Sequence, residues 1–194
     1  MKLGFFVTNQ YLPSESMPQK IQDSAEQVRA ARDAGFSLIA TGEHYLAAPY
    51  QMSTSFTLLS RLAADAGDMQ VAATVILVPL HNPVELAESI ATLDAITNGK
   101  FVFGVGLGYR DEEYTAFGVQ KGERVGRFNE AMDLMKRLWS EEEIEFNGKY
   151  YTVPKTKIST RPVQNPPPIW VAANNDVAIR RAARWGYPWL INPH

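Results

Sequence analysis

Apolar residues along this 194-residue chain alternate between short unbroken runs and stretches in which they recur every three or four positions. A run without polar alternation, such as residues 71–78, is typical of a strand buried on both faces, as in parallel sheets covered by helices. Spacing of three to four residues indicates an amphipathic helix. Strands are therefore predicted at residues 3–7, 36–40, 71–78, 101–104, 169–172 and 189–191. Helices are predicted at residues 21–34, 53–66, 83–97, 123–139 and 177–185, with Ser53 or Ser55, Asn82 and Asp176 at three of the N-caps.

Strand–helix units follow one another roughly every thirty residues from the N-terminus, which predicts a parallel α/β fold. Both a doubly wound sheet and a (β/α)8 barrel are built from such units. A closed barrel of eight units needs around 250 residues, so a chain with six strands looks cut short as a barrel. The pattern alone leaves both architectures open.

Residues 140–167 interrupt this rhythm. The segment 144–153 has two strand-like arms around Asn147-Gly148, which is a strong hairpin signal, and residues 161–168 (RPVQNPPP) form an extended proline-rich connector. We interpret residues 140–167 as an insertion lying over one mouth of the core, within a single domain of residues 1–194.

Composition excludes several classes of function. The net charge of -2 and the pI near 5.9 provide no basic surface for nucleic acid or an anionic membrane. The absence of cysteine excludes disulfides, thiolate zinc sites and a cysteine nucleophile. No apolar run approaches the roughly 18 residues of a membrane span, and the first residues lack the pattern of a signal peptide. A cytoplasmic protein is predicted.

A glycine-rich segment, FVFGVGLGYRDEE at residues 101–113, follows the pattern of a strand, a loop and then a helix. Glycines at the carboxyl end of a strand permit a positive φ or the close approach of a ligand, although a tight turn without a ligand fits the same pattern. The spacing Gly104-x-Gly106-x-Gly108 differs from the dinucleotide-binding fingerprint, and no phosphate-binding P-loop motif is present.

Two histidines and an arginine are candidates for chemistry. His44 follows the second predicted strand, where it could act as a general acid or base or cap the strand as a structural residue. His81, beside a proline and a helix cap, is expected to be structural, and His194 carries no inference. Arg110 fits a phosphate or substrate clamp and equally a surface partner of nearby acidic residues.

The remaining polar groups favour ordinary structural roles. Residues 111–113 (Asp-Glu-Glu) could be catalytic carboxylates, but a solvated loop or the first turn of a helix is preferred. Asn174-Asn175 could donate to an anion, although capping of the next helix by Asp176 explains them as well. No metal site is predicted, because Glu43 and His44 would point to opposite faces of a strand.

Seven stretches, in this order along the whole chain, resemble those of the bacterial luciferase-like flavin-dependent oxidoreductases, whose fold is a (β/α)8 barrel. They are LGFF, AGFSLIATGEHYLAAPY, VAATVILVPLHNPVELAESIATLD, TNGKFVFGVGLGYRDEEYTAFGV, ERVGRFNEAMDLMKRLW, FNGKYYTV and PPPIWVAANNDVAIRRAARWG. The resemblance implies a TIM barrel of luciferase-like type, truncated after about six strands.

The resemblance also implies roles for residues of the second and third strands. His44, within GEHY, is expected to face the isoalloxazine ring and to act in catalysis. A non-proline cis peptide is expected at Thr74-Val75, in a bulge behind the flavin.

Two further places match those where the family holds the cofactor phosphate. One is the loop of Gly106, Leu107, Gly108 and Tyr109, and the other is the turn Asn174-Asn175. Leu107 stands where luciferase has an arginine, and the two asparagines replace a Glu-Ser pair. Phosphate contacts are therefore expected to rest more on backbone amides.

The chemistry that the resemblance implies is redox chemistry. The leading hypothesis is a two-component monooxygenase that uses reduced FMN, supplied by a separate flavin reductase, and O2 on a small organic substrate. The alternatives are an oxidoreductase that transfers hydride with the deazaflavin F420 and a non-catalytic flavin-binding relative. A homodimer is expected from the family.

Shielding of the cofactor from water is expected from aromatic residues. Candidates are Tyr11, Phe56, Tyr109 and the hairpin at residues 144–151. Substrate choice is expected from loops at residues 8–20 and 45–54 and from the insertion.

Overall fold

The computed structural model describes residues 1–191, and a curled sheet of six parallel strands forms its centre. The strands of the described residues are β1 (Gly4–Phe6), β2 (Gln10–Tyr11), β3 (Leu38–Thr41), β4 (Gln51–Met52), β5 (Gln70–Leu77), β6 (Phe101–Gly106), β7 (Ile144–Asn147), β8 (Thr152–Thr156), β9 (Ile169–Ala172) and β10 (Trp189–Leu190). The central sheet has the order β1-β3-β5-β6-β9-β10, with every neighbouring pair parallel. Its spatial order follows chain order without the reversal of a doubly wound sheet, so the architecture is that of an open part of a (β/α) barrel.

Helices cover the outer face of this sheet. The described helices are α1 (Met17–Asp33), α2 (Ser55–Ala66), α3 (Pro83–Ile96), α4 (Asp111–Ala116), α5 (Arg124–Ser140) and α6 (Asp176–Trp185). The short α4 differs from the others, since it lies at the carboxyl end of the sheet, where Glu113 accepts the Tyr45 N–H. The main core lies between helices and strands, where Leu59, Leu62, Phe103 and Trp139 are fully buried. Trp139 also donates its indole N–H to the Ala87 carbonyl at 3.1 Å, so the largest core side chain has its polar group satisfied.

The opposite, concave face of the sheet carries a second apolar layer. Ala40, Ala72 and Val102 are aligned in register on β3, β5 and β6 and are buried, with Leu38 and Trp170 packed against them. Successive side chains of a strand point to opposite faces of the sheet. The residues before and after each of these three in its own strand therefore face the helices. Burial on both faces explains why the strands show no polar alternation in the sequence.

A bulge in β5 shapes the carboxyl end of the sheet. The Thr74-Val75 peptide is cis, as predicted, and the register between β5 and β6 shifts between Ala73 and Ile76. A Cβ on Gly104 would overlap the Ala73 carbonyl oxygen, and one on Gly106 would lie 2.5 Å from Cγ2 of Val75. Two of the three glycines predicted to make room for a turn or ligand therefore make room for this bulge.

Several element boundaries differ from the sequence predictions. Helix α1 begins four residues earlier, where Ser16 accepts from the Gln19 N–H, because its first turn is largely exposed and lacks the apolar spacing. Thr54 rather than a serine precedes α2, since the hydroxyl of buried Ser55 donates to the Gly42 carbonyl instead. Asn175 rather than Asp176 caps α6 by accepting from the Ala178 N–H.

Asn82 caps α3 as predicted, accepting from the Val84 N–H at 2.9 Å. The two-stranded sheet of β2 and β4 was absent from the sequence predictions, and the short helix α4 was predicted only as one of two possibilities for residues 111–113. Strands of two residues and a helix of six are too short for a periodic signal.

The insertion at residues 140–167 packs along α5 and against the end of α3. Its hairpin of β7 and β8 is tied to α5 by Glu130, whose carboxylate accepts the N–H groups of residues 149, 150 and 151 at 2.7–3.0 Å. Its connector is tied to α3 by buried Asp94, which accepts two hydrogen bonds from Gln164. The predicted hairpin is confirmed, and the connector reaches the amino end of β6, where Gln164 donates to the Phe101 carbonyl at 2.9 Å. The predicted position of the insertion over one mouth of the core stays a prediction.

Within residues 1–191, no helix combines the length and the apolar character needed to cross a membrane. The same residues contain no cluster of three or more histidine and carboxylate side chains suited to a metal ion. His194 lies outside the described residues.

Candidate active site

A cavity of about 510 Å³ opens at the carboxyl ends of the parallel strands. Residues that end or follow β1, β3, β5, β6 and β9 contribute to its wall. The nine site residues predicted from the sequence all line it, namely His44, Thr74, Val75, Gly106, Leu107, Gly108, Tyr109, Asn174 and Asn175. Parallel strands deliver their trailing loops to one rim, so the fold brings together residues 130 positions apart in the chain.

His44 is held from behind by a buried carboxylate. Its Nδ1 lies 2.9 Å from Oε1 of Glu113, whose side chain is fully buried, whereas the His44 side chain is 32% exposed. The same oxygen of Glu113 accepts the backbone N–H of Tyr45 at 2.9 Å. The Nδ1 edge of the imidazole is therefore held by Glu113, while the rest of the ring remains accessible from the cavity.

Glu113 corrects an expectation from the sequence. Residues 111–113 form the first turn of α4, which was one of the predicted possibilities, but only Asp111 and Glu112 are exposed. Glu113 points inward with no exposed surface. A run of three acids looks solvated in a sequence, and only the orientation of the short helix selects the third for burial.

Arg110 acts on the loop after β3 and does not line the cavity. It donates to the carbonyl oxygens of Tyr45 and Leu46 at 2.8 and 3.0 Å, and its guanidinium lies 3.7 Å from Glu113. Neither the predicted clamp nor a simple surface pair describes this arrangement. The arginine fixes the backbone next to His44 and provides a counter-charge for the buried carboxylate.

A second histidine–carboxylate pair lies beside the first. Oε2 of Glu43 is 3.0 Å from Nε2 of His81 and accepts the Leu77 N–H at 2.8 Å, while Oε1 accepts the Tyr45 hydroxyl at 3.0 Å. Burial, followed by the charge of Glu43, raises the pKa of Tyr45. Glu43 and His44 thus have different partners. Glu43 lines the cavity, whereas His81, which binds it, does not.

The glycine loop forms another part of the wall. Gly108 has a φ of 78°, and the Leu107 carbonyl accepts the hydroxyl of Tyr114. Burial raises the pKa of Tyr114 to about 12, so its hydroxyl stays a donor at neutral pH. Tyr109 follows at the rim, 69% exposed, with its ring edge-on to His44 at 5.5 Å between centroids.

Positive charge reaches the cavity from a residue that the sequence did not single out. Arg124, the first residue of α5, is the one lysine or arginine among the described residues that line the cavity. Its Nη1 donates to the Lys121 carbonyl at 2.8 Å. The N-terminus of α6 also faces this space, since Asn175 and Ala178 line it.

Most of the predicted aromatic shields lie elsewhere. The hydroxyl of buried Tyr11 donates to the Thr8 carbonyl at 2.7 Å. Phe56 packs on Phe101 in the core, with 6.4 Å between the ring centroids. The lining residues all fall outside the insertion, so its hairpin does not shield the cavity either. Tyr109 is the predicted aromatic residue that does line it, together with Phe6, which was not predicted.

The whole length of the chain matches a known protein family. The family model described as luciferase-like monooxygenase matches residues 1–194. The chain therefore belongs to the luciferase-like monooxygenase family.

Particular relatives divide between two cofactors. The chain is 31% identical over 195 residues to an F420-dependent glucose-6-phosphate dehydrogenase of Kineococcus radiotolerans, covering 96% of this chain and 55% of the relative. It is 28% identical to the oxygenase component of a flavin-dependent trigonelline monooxygenase of Acinetobacter baylyi, covering 100% of this chain and 54% of that one.

A solved structure supports the fold. A monooxygenase from Streptomyces bottropensis superposes with a TM-score of 0.92 at 28% identity, covering 98% of this chain and 59% of that one. The chain thus spans little more than half the length of these relatives.

Proposed function

We propose that this chain forms the cofactor site of a flavin- or deazaflavin-dependent oxidoreductase in which His44 is the general acid or base. One observation carries the proposal. A histidine backed by a buried carboxylate lies in the wall of the same cavity as a glycine-rich loop. Groups with these roles are expected at the carboxyl ends of barrel strands.

The residues of the cavity fit a planar cofactor that carries a phosphate. The volume of about 510 Å³ is within the range of small-molecule sites. Val75, Leu77 and Leu107 supply apolar surface, and Arg124 with the N-terminus of α6 supplies positive charge. Arg124 would take the place of the arginine whose absence at Leu107 stood out in the sequence.

A bound reduced flavin would supply the electrons for the reaction. The chain's own part is to bind the ring against the β5 bulge and to hold or move a proton at Nε2 of His44. Tyr109 would limit the access of water on the rim beside this nitrogen.

Among oxidoreductases, we favour a two-component monooxygenase that receives reduced FMN from a flavin reductase and acts on a small organic substrate. The relative from A. baylyi, named as an oxygenase component, supports this assignment. The F420-dependent relative from K. radiotolerans supports hydride transfer with F420 as the second candidate. A homodimer and a cytoplasmic location stay predictions.

Anaerobic titration tests the proposal. Reduced FMN and F420 are each titrated against the protein under the same conditions. We expect one of them to bind with a dissociation constant in the micromolar range, on the order of -8 kcal/mol. Failure of both to bind would reject the proposal, and binding without any turnover would favour the non-catalytic relative.

The phosphate side of the site has its own control. Arg124→Gln removes a charge-assisted contact, so reduced FMN should bind about ten- to a hundredfold more weakly. Reduced riboflavin, which lacks the phosphate, should bind the variant and the wild type alike. Arg180→Gln, at an exposed position of α6, serves as the matched control. An equal loss for both ligands would place the effect of Arg124 away from the phosphate.

A further inference from the structure

We infer that Glu113 is a positioning residue that fixes the tautomer of His44, with the proton on Nδ1 and Nε2 left for the cavity. The inference rests on the proposed function, because it concerns how His44 would act there. It assigns a role to a buried acid that lies outside the cavity wall.

The hydrogen-bond pattern at Glu113 defines the direction of its bond to His44. Oε1 accepts the Tyr45 N–H and lies 2.9 Å from Nδ1 of His44. The guanidinium of Arg110, a donor, lies 3.7 Å from the same oxygen. A carboxylate oxygen can only accept, so Nδ1 of His44 must carry the hydrogen. In a neutral imidazole the other nitrogen, Nε2, is then unprotonated.

The carboxylate is placed rigidly enough for this task. Glu113 is fully buried in the first turn of α4, and Arg110 at the start of that helix binds the carbonyls of Tyr45 and Leu46. The Tyr45 ring packs on Phe117 at 4.6 Å between centroids. The loop carrying His44 and the helix carrying Glu113 are therefore joined by several contacts besides the hydrogen bonds of the Glu113 carboxylate itself.

A simpler role for Glu113 is to satisfy the Tyr45 N–H and support the loop. Both roles use the same oxygen, while Oε2 is buried without a hydrogen-bond partner among the described residues. The two roles differ in what they predict when His44 is absent. A residue that acts through His44 has nothing left to contribute to turnover once the imidazole is removed.

A double-mutant cycle distinguishes the two roles of Glu113. Glu113→Ala is made in the wild type and in His44→Ala, with Glu112→Gln, at an exposed position of the same helix, as control. In the wild type we expect turnover to fall by about 10² or more, as for loss of the orienting acid in other histidine sites, with cofactor affinity nearly unchanged. In the His44→Ala background we expect no further loss. An equal fold-loss in both backgrounds would overturn the inference.

The tautomer itself can be measured without cofactor or turnover. In ¹⁵N NMR spectra of the imidazole rings, neutral His44 of the wild type should carry its hydrogen on Nδ1. In Glu113→Ala the hydrogen should redistribute toward Nε2, while His81, bound to Glu43, keeps its own pattern. A wild-type His44 with its hydrogen on Nε2 would overturn the inference directly, whether or not the alanine variant folds.

Glu113→Gln is the conservative variant. Its amide oxygen can stay at the Oε1 position and accept from both Tyr45 and His44, so the variant should fold and keep the Nδ1–H tautomer. Turnover should be higher than in Glu113→Ala.

Equal turnover of His44→Ala and wild type would reject the proposed function itself. The NMR measurement of the tautomer would still decide the present inference.

Discussion

Two histidine–glutamate pairs lie side by side at the carboxyl end of the sheet, with almost the same nitrogen–oxygen distance. His44 is 2.9 Å from Glu113, and His81 is 3.0 Å from Glu43. Their surroundings differ, because the His44 side chain is 32% exposed and lines the cavity, whereas that of His81 is 12% exposed and does not. Pairing with a carboxylate therefore does not by itself mark an acid–base residue. Access to a ligand-sized space does.

The carboxylates of the two pairs also differ in the hydrogen bonds that they accept. Glu43 accepts hydrogen bonds from the Leu77 N–H and the Tyr45 hydroxyl in addition to its contact with His81, and so joins the ends of β3 and β5. Glu113 accepts from one backbone group and His44, and its second oxygen has no partner in the part of the chain described. We interpret the Glu43 pair as a tie between strands and the Glu113 pair as a support for the site.

The largest expected effect comes from His44→Ala. Removal of a general acid or base typically lowers turnover by about 10²–10⁴, and we expect a loss of that size with cofactor binding nearly kept. Turnover and the cofactor dissociation constant are measured on the same preparation. Wild-type turnover in the variant would return His44 to a structural role.

His81→Ala should show the opposite profile. It leaves one acceptor oxygen of buried Glu43 without its histidine, so we expect the free energy of unfolding to fall by about 1–3 kcal/mol. Turnover per folded molecule should stay within a few-fold of the wild type. Urea unfolding and an assay corrected for the folded fraction measure the two effects. A loss of turnover as large as that of His44→Ala would erase the distinction between the pairs.

Tyr45→Phe tests the residue that connects them. The substitution removes the hydroxyl bound to Glu43 and keeps the backbone N–H bound to Glu113. We expect a loss of about 0.5–1.5 kcal/mol in stability, the usual value for one hydrogen bond, and little change in turnover. Chemical denaturation and steady-state kinetics report the two quantities, and a selective loss of turnover would show that the pairs act together.

A smaller effect is expected at high pH from Tyr114, which is next to Glu113 in α4. Burial raises the pKa of Tyr114 from 10.0 to about 12. Above pH 10 the unfolded chain therefore loses this proton while the folded chain still holds it, so stability falls as pH rises toward 12. Tyr114→Phe should make the fall less steep, as followed by urea unfolding at several pH values. Parallel curves for variant and wild type would contradict this.

Local patterns in the sequence were sufficient for the sheet, whereas most of the positions that line the cavity came from the family resemblance. Unbroken apolar runs identified six parallel strands, and the order of βα units placed the loops after them on one rim. The family resemblance also located the cis peptide at Thr74-Val75. These features depend on residues that are close in the chain or on the topology alone.

The supporting contacts could not be predicted in the same way. Glu113 is 69 positions from His44, and His81 is 38 positions from Glu43, so both pairs depend on tertiary packing that leaves no periodic trace. Arg124 begins a helix whose pattern explains only its buried face. The contact of the insertion with α5 had no local signal either, since a hairpin pattern does not say which surface the hairpin packs against.

The most direct test of the account follows the imidazole resonances of His44 and His81 by NMR while reduced FMN or F420 is added. The account predicts that binding perturbs the ring signals of His44 strongly and leaves those of His81 nearly unchanged. A bound cofactor that perturbs His81 and leaves His44 unchanged would contradict it.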